Sequence, residues 1–100
     1  MNLQEIALIK IIEECSEIQK VCTKALRFGL NNNHSEQPYP ITNFQLLDLE
    51  LKDFKAAIIN FEEVTNNKFT DFTEEEKAIR KERINYFNNL SKKLGRLTNE

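Results

Sequence analysis

Apolar residues recur every three or four positions over three stretches of the chain, which is the spacing of one face of an α-helix. The first stretch contains no helix-breaking residue before Gly29, a residue type that commonly ends helices. The three stretches cover residues 3–28, 43–64 and 74–94. The pattern therefore predicts an all-α protein with three main helices.

Two of the predicted helices begin at recognisable capping sequences. Thr42 is followed three residues later by Gln45, and Thr73 by Glu76, and such pairs satisfy the free N–H groups of a first helical turn. The segment 30–41 contains three consecutive asparagines, His34 and two prolines, and shows no periodicity. We expect a loop there, with His34 exposed to solvent.

The apolar positions of the first helix are too numerous for a single neighbouring helix. One seam at helical spacing consists of Leu8, Ile11, Cys15, Ile18 and Cys22, and further apolar residues widen it on both sides. A surface this broad predicts that helices from a second copy complete the bundle, as a dimer or a tetramer. Core positions are also expected for Phe54, Phe61, Phe69 and Phe87.

Composition limits the function classes. One hundred residues with only two glycines and two prolines suit a single domain over 1–100 built from long helices. The net charge of −2 provides no basic footprint, so we expect no nucleic-acid partner. No apolar run approaches the ~20 residues of a membrane span, and no polybasic patch is present, so we expect no membrane partner.

The cysteines and the start of the sequence favour a cytoplasmic location. Cys15 and Cys22 lie seven residues apart in one helix, which separates them by about 10 Å along the axis and precludes a disulfide. We expect reduced thiols in the core. The segment 1–5 lacks the positive charge of a secretory signal.

Several acidic residues occupy positions that the helical pattern assigns to apolar faces. On the second helix, Glu50 lies in the middle of the apolar arc and Asp53 follows on the same side. On the first helix, Glu14 lies inside the apolar arc and Glu17 comes one turn later, while Glu13 projects toward the rim. A buried carboxylate must be paired, protonated or bound to a metal, because burial of an isolated charge is costly.

The two acidic pairs allow two interpretations. Each pair directs two carboxylates to one side of its helix, and an antiparallel packing would bring the pairs together. Carboxylates within about 4–6 Å of one another repel, and a hard divalent cation removes that repulsion; oxygen ligands favour Mg²⁺, Mn²⁺ or Ca²⁺ over zinc. The alternative is a solvated acidic face, or ion pairs with Lys10, Lys20 or Lys24.

Glu-Glu-x-x-Glu at 13–17, followed by Glu-x-x-Asp at 50–53, resembles the paired motif of the MazG-like all-α nucleoside triphosphate pyrophosphohydrolases, especially their small single-domain phage and bacterial type. The surrounding segments 13–29 and 43–58 are similar to the two motif helices, and 81–97 to the C-terminal helix. The gap between the two motifs is long for the compact members and is filled by the asparagine-rich loop.

This resemblance implies hydrolysis of a nucleoside or deoxynucleoside triphosphate to the monophosphate and pyrophosphate, by a metal-activated water that attacks the α-phosphorus. It implies Mg²⁺, with Mn²⁺ as a substitute, held by Glu14, Glu17, Glu50 and Asp53, with Glu13 as a base or supporting carboxylate. Candidate substrate contacts are the cations Lys24, Arg27, Lys81 and Arg83, each with a solvated surface position as the alternative. Candidates for base and sugar selection are Phe28, Asn43 and Asn60.

A second function class stays open. The broad apolar surface of the first helix is also typical of a non-catalytic helical-bundle interaction protein. A P-loop NTPase is excluded, because no Gly-x-x-x-x-Gly-Lys-Ser/Thr sequence occurs.

Overall fold

A computed structural model of the chain describes residues 1–32 and 41–97. It contains three α-helices: α1 (Leu3–Phe28), α2 (Asn43–Thr65) and α3 (Glu74–Lys93). The all-α prediction is confirmed, and the helix ends match the expected ones within one residue. Most of the expected loop, 33–40 including His34, lies outside the described residues.

Side-chain caps explain why the helices begin where they do. The backbone N–H of Gln45 donates to Thr42 Oγ1 at 3.1 Å, and that of Glu76 donates to Thr73 Oγ1 at 3.0 Å, as the sequence predicts. In both boxes the second side chain accepts a hydrogen bond from the capping residue's backbone N–H. A third capping box, between Asn2 and Glu5, begins α1. The helix starts are therefore encoded locally.

The ends of α1 and α2 both lie at residues with positive φ. Gly29 follows α1 with φ 96° and ψ 147°, a conformation that is essentially restricted to glycine. Asn66 follows α2 in the left-handed helical region, with φ 51° and ψ 37°, which asparagine tolerates better than most residues. The positive φ of each residue departs from helical geometry and thereby ends the helix.

The chain forms two compact units, Met1–Lys68 and Phe69–Glu100. The first contains α1 and α2, which pack against each other. In the second, which contains α3, the guanidinium of Arg80 lies 5.6 Å from the centroid of the Phe72 ring, and the rings of Tyr86 and Phe87 meet edge to face at 5.4 Å.

α1 and α2 run antiparallel. Where α1 ends and α2 begins, the Phe44 N–H donates to the Leu30 carbonyl at 2.9 Å. The Asn43 side-chain amide donates to the Gly29 carbonyl at 2.7 Å, and Asn43 is fully buried. Toward the other end of the pair, Lys10 and Asn60 line the same cavity. The hairpin arrangement thus places the middles of the two helices side by side.

Contact positions recur every seven residues along both helices. The buried residues of α1 are Ala7, Glu14 and Val21, and those of α2 are Asn43 and Ala57, with the half-buried Glu50 midway between them. This seven-residue spacing is that of helices packed along a shallow supercoil. Small residues at Ala7 and Ala57 allow close approach of the two helix backbones. The acidic Glu14 and Glu50 occupy the central position of each series.

The predicted seam on α1 is not the centre of the face that packs on α2, although its members Ile11 and Ile18 are half-buried. Cys15 and Cys22 are exposed free thiols instead of core thiols, and Leu8 is 42% exposed. The face of α1 that packs on α2 is centred on Glu14, about 100° around the helix from Cys15. The small residues there permit a closer contact than the branched residues of the predicted seam would.

Other large apolar residues also remain accessible. Phe69 and Phe87, both expected in the core, are 53% and 62% exposed, whereas Phe54 and Phe61 are partly buried. Within the described ranges, no helix combines the length and the hydropathy that crossing a bilayer requires.

Candidate metal centre

Three carboxylates converge between the middles of α1 and α2. One oxygen each from Glu14, Glu50 and Asp53 lies within 4.8 Å of the others. Glu14 is buried, Glu50 is half-buried and Asp53 is exposed, so the group extends from the helix interface to the surface. The structure thereby brings together three of the four carboxylates that the sequence indicates as metal ligands.

The helix register explains this convergence. Glu14 and Glu50 lie in the centre of the packed faces, so antiparallel packing places them opposite each other. Asp53 lies three residues after Glu50, about 60° around α2, which directs it to the open edge of the same interface. Apart from Asn43, the other buried residues of the two faces are apolar, and they hold the carboxylates in a partly desolvated position.

The surroundings of Glu50 disfavour its ionised form. Its pKa is raised above the ordinary value, first by burial and then by the negative charges of Asp53, Glu17 and Glu14. Within residues 1–32 and 41–97, no lysine or arginine forms an ion pair with Glu50. A cation at this position would favour the ionised form and offset the repulsion.

Glu14 has a lysine partner from its own helix. Lys10 Nζ lies 3.1 Å from Glu14 Oε1, one turn away along α1. The Glu14 side chain is only 9% exposed, whereas that of Lys10 is 54% exposed. The pKa of Lys10 is raised, mainly by its hydrogen bond to Glu14 and that residue's charge, with smaller contributions from the charges of Glu13 and Asp53.

A cavity of about 460 Å³ opens beside the carboxylates. It extends from the acidic group toward the N-terminal part of α1 and the C-terminal part of α2. Its lining consists of Lys10, Glu14, Asp53, Ala56, Ala57 and Asn60. The cavity combines two carboxylates with two hydrogen-bond donors, and its alanines leave room for a ligand.

The remaining acidic candidates lie at the margin of this group. Glu17 is half-buried and accepts a hydrogen bond from Lys20 Nζ at 3.1 Å, and its charge contributes to the raised pKa of Glu50. The Glu13 side chain is 60% exposed and lies 3.8 Å from Lys10 Nζ. Ion pairs with Lys10 and Lys20, which the sequence left open as an alternative, are therefore present alongside the carboxylate group. The ligand role of Glu17 stays a prediction.

The predicted substrate contacts occupy varied positions. Lys24 and Arg27 are exposed near the end of α1, where the Arg27 guanidinium lies 5.2 Å from the centroid of the Phe28 ring. Asn43 has no solvent-accessible surface, and its amide holds the helix junction through Gly29. Among the candidates on α3, Lys81 and Arg83 are exposed. Binding roles for these cations stay predictions.

The sequence indicates Lys10 only as an ion-pair partner for the acids. The structure places it in the lining of the cavity, together with Asn60. Lys10 lies four residues before Glu14, and residues four apart are neighbours on a helix surface. The sequence therefore indicates that Lys10 lies close to Glu14. An i, i+4 lysine–glutamate pair is common on solvent-exposed helices, so the spacing alone does not indicate a site.

The carboxylate group fits a small oxygen-ligated cation. Ligands on opposite sides of an octahedral Mg²⁺ lie about 4.2 Å apart, and those around Ca²⁺ lie farther apart. Neighbouring ligands lie about 3 Å apart around Mg²⁺, so the three oxygens, which lie within 4.8 Å of one another, would move closer together to bind one ion. Glu14, Glu50 and Asp53 would hold the cation, and the exposed side of Asp53 leaves access for a ligand from solvent.

The raised pKa of Glu50 predicts a pH dependence of stability without metal. The folded state keeps the proton on Glu50 at pH values where the unfolded chain, with a pKa near 4.5, has lost it. The associated stabilisation is complete below that value and is lost as the pH rises through the higher folded pKa. In EDTA, we expect the Tm of wild type to fall relative to that of Glu50→Gln as the pH rises above about 4.5. Equal slopes for wild type and Glu50→Gln, with Glu63→Gln as the exposed control, would contradict the prediction.

Comparison with known proteins does not assign the chain to a family. No protein-family model, curated protein or solved structure matches it. The resemblance to the MazG-like pyrophosphohydrolases stays a prediction from the residues of the two acidic motifs and their surroundings.

Proposed function

We propose that this protein is a Mg²⁺-dependent hydrolase that converts a nucleoside or deoxynucleoside triphosphate to the monophosphate and pyrophosphate. The observation that supports the metal dependence is the convergence of Glu14, Glu50 and Asp53 on antiparallel helices, with oxygens within 4.8 Å of one another. The choice of reaction rests on the resemblance of the two acidic motifs to those of the MazG-like enzymes.

The residues support this chemistry in separate ways. Glu14 and Glu50 supply carboxylates from a partly desolvated interface, where electrostatic interactions are stronger than in water. Asp53 offers an oxygen at the accessible edge. A divalent cation held by these residues would neutralise charge on the triphosphate and lower the pKa of a water bound to it. Attack of water on the α-phosphorus breaks its bond to the bridging oxygen, and pyrophosphate leaves with the bonding electrons.

A substrate panel tests the proposal. The full chain is incubated with Mg²⁺ and each common NTP and dNTP, and products are separated by anion-exchange chromatography. We expect monophosphate and pyrophosphate in equal amounts from at least one nucleotide, with no turnover in EDTA. Release of orthophosphate with a diphosphate product would contradict the proposed position of attack. Absence of turnover on every nucleotide would reject the enzymatic proposal.

A non-catalytic helical interaction protein is the second candidate. Exposed large apolar residues on the first unit favour it, among them Ile12 at 64%, Leu26 at 88% and Leu51 at 41% exposure. These residues are also compatible with the dimer or tetramer expected from the sequence, which stays a prediction. The two candidates differ in the panel above, because only the enzyme releases pyrophosphate.

A further inference from the structure

Lys10 occupies an unusual position for a helix-surface lysine. Its ammonium lies 3.1 Å from a carboxylate oxygen of Glu14, whose side chain is almost completely buried. More than half of the Lys10 side chain remains exposed. An exposed lysine thus pairs with a metal-ligand candidate that is itself almost completely buried.

The cavity continues from Lys10 past the acidic group. Lys10 and Asn60 contribute hydrogen-bond donors to its lining, and Ala56 and Ala57 contribute only methyl groups. A volume of about 460 Å³ accommodates a ligand substantially larger than a cation. An anion coordinated to a cation at Glu14 and Asp53 would share this cavity with both donors.

We propose that Lys10, assisted by Asn60, is the phosphate-binding residue of this site. Lys10 exchanges Glu14 for a phosphate oxygen when a divalent cation and a phosphate-containing ligand bind. This inference rests on the proposed metal-dependent function. Without a cation, Lys10 neutralises Glu14. With a divalent cation at Glu14, the ammonium of Lys10 would be repelled and would donate instead to a phosphate oxygen of the anionic ligand. The same lysine thus competes with the metal and favours the anionic ligand.

The other lysines and arginines of α1 are less well placed for this role. Lys24 and Arg27 lie ten and thirteen residues after Glu14, about 15 Å and 20 Å farther along the helix axis. Lys20 pairs with Glu17 at 3.1 Å. Lys10 lies about 6 Å along the axis from Glu14, on the same side as the cavity.

Binding measurements on the full chain test the exchange. Isothermal titration calorimetry gives the Kd for Mn²⁺ alone and then the Kd for pyrophosphate on the Mn²⁺-saturated protein. We expect Lys10→Met to tighten Mn²⁺ binding a few-fold, because the competing ammonium is gone. We expect it to weaken pyrophosphate binding about tenfold, because a charge-assisted hydrogen bond is lost. Lys10→Arg should restore most of the pyrophosphate affinity.

Lys52→Met is the matched control, since Lys52 Nζ lies 3.1 Å from Asp48 at the same four-residue spacing on α2. It should change neither Kd. Opposite shifts in the two Kd values for Lys10→Met support the exchange, because loss of a structural ion pair would not tighten one ligand and weaken the other. Mn²⁺ binding by wild type without these opposite shifts overturns the role of Lys10 and leaves the metal site standing. Failure of wild type to bind Mn²⁺ overturns both the role of Lys10 and the metal site.

Discussion

Glu50→Gln is expected to reduce nucleotide hydrolysis by at least about 10²-fold, the order of effect seen when one element of electrostatic stabilisation is removed from an active site. Glutamine keeps the size of the side chain and one oxygen but removes the negative charge that a cation would require. In the metal-free protein the same change should maintain or increase stability, because the ionised Glu50 is disfavoured by burial and by neighbouring charges. Initial rates at saturating Mg²⁺ and the Tm in EDTA measure the two effects.

Glu63→Gln is the control for this substitution. Glu63 is exposed on the same helix, outside the carboxylate group, so its replacement should leave both the rate and the Tm near wild-type values. Loss of stability without loss of activity in Glu50→Gln would show that Glu50 has a structural role and is not a metal ligand. Loss of activity together with retained stability is the result that the proposed site requires.

Mg²⁺ is expected to stabilise the folded protein strongly at neutral pH. A ligand that binds only the folded state at 100 times its Kd adds about 2.7 kcal/mol to the free energy of unfolding. For a unit of this size, that corresponds to a rise in Tm of roughly 10 °C or more. Because the three carboxylates come from two helices, the unfolded chain does not present them together. Thermal melts by circular dichroism at increasing Mg²⁺ concentration measure the shift.

Asp53→Asn should remove most of the Mg²⁺-dependent rise, since Asp53 provides the accessible oxygen of the group. Asp48→Asn is its control, because Asp48 pairs with Lys52 and lies outside the carboxylate group. An equal rise in Tm for wild type and Asp53→Asn would place the bound Mg²⁺ elsewhere on the protein. Absence of any rise in wild type would count against the metal centre itself.

The helix boundaries and the acidic residues on apolar helix faces can be predicted from the sequence, because both depend on local spacing. Capping pairs such as Thr42 and Gln45 act within one helical turn, and the structure retains their hydrogen bonds. The burial of Glu14 follows from its place on the apolar arc. Its proximity to Glu50 required one further assumption, the antiparallel packing of neighbouring helices, which the structure confirms.

The face of α1 that packs on α2 could not be predicted from local spacing. The first helix is apolar over much of its circumference, and periodicity alone does not identify the stripe that the partner helix takes. The structure uses the stripe with Ala7, where two backbones can approach, and leaves Cys15 and Leu8 exposed. The place of Lys10 in the cavity lining depends on which face of α1 packs on α2, so it could not be predicted from the sequence alone.

The seven-residue spacing of contact positions constrains how the length of this hairpin can change. Inserting one residue between Lys10 and Glu14 would rotate the preceding part of α1 by about 100° relative to the carboxylates and separate Lys10 from Glu14. Inserting seven residues restores the orientation within about 20°. Variants of the hairpin with a working site should therefore differ in helix length by whole repeats, a rule that can guide the design of shorter or longer forms.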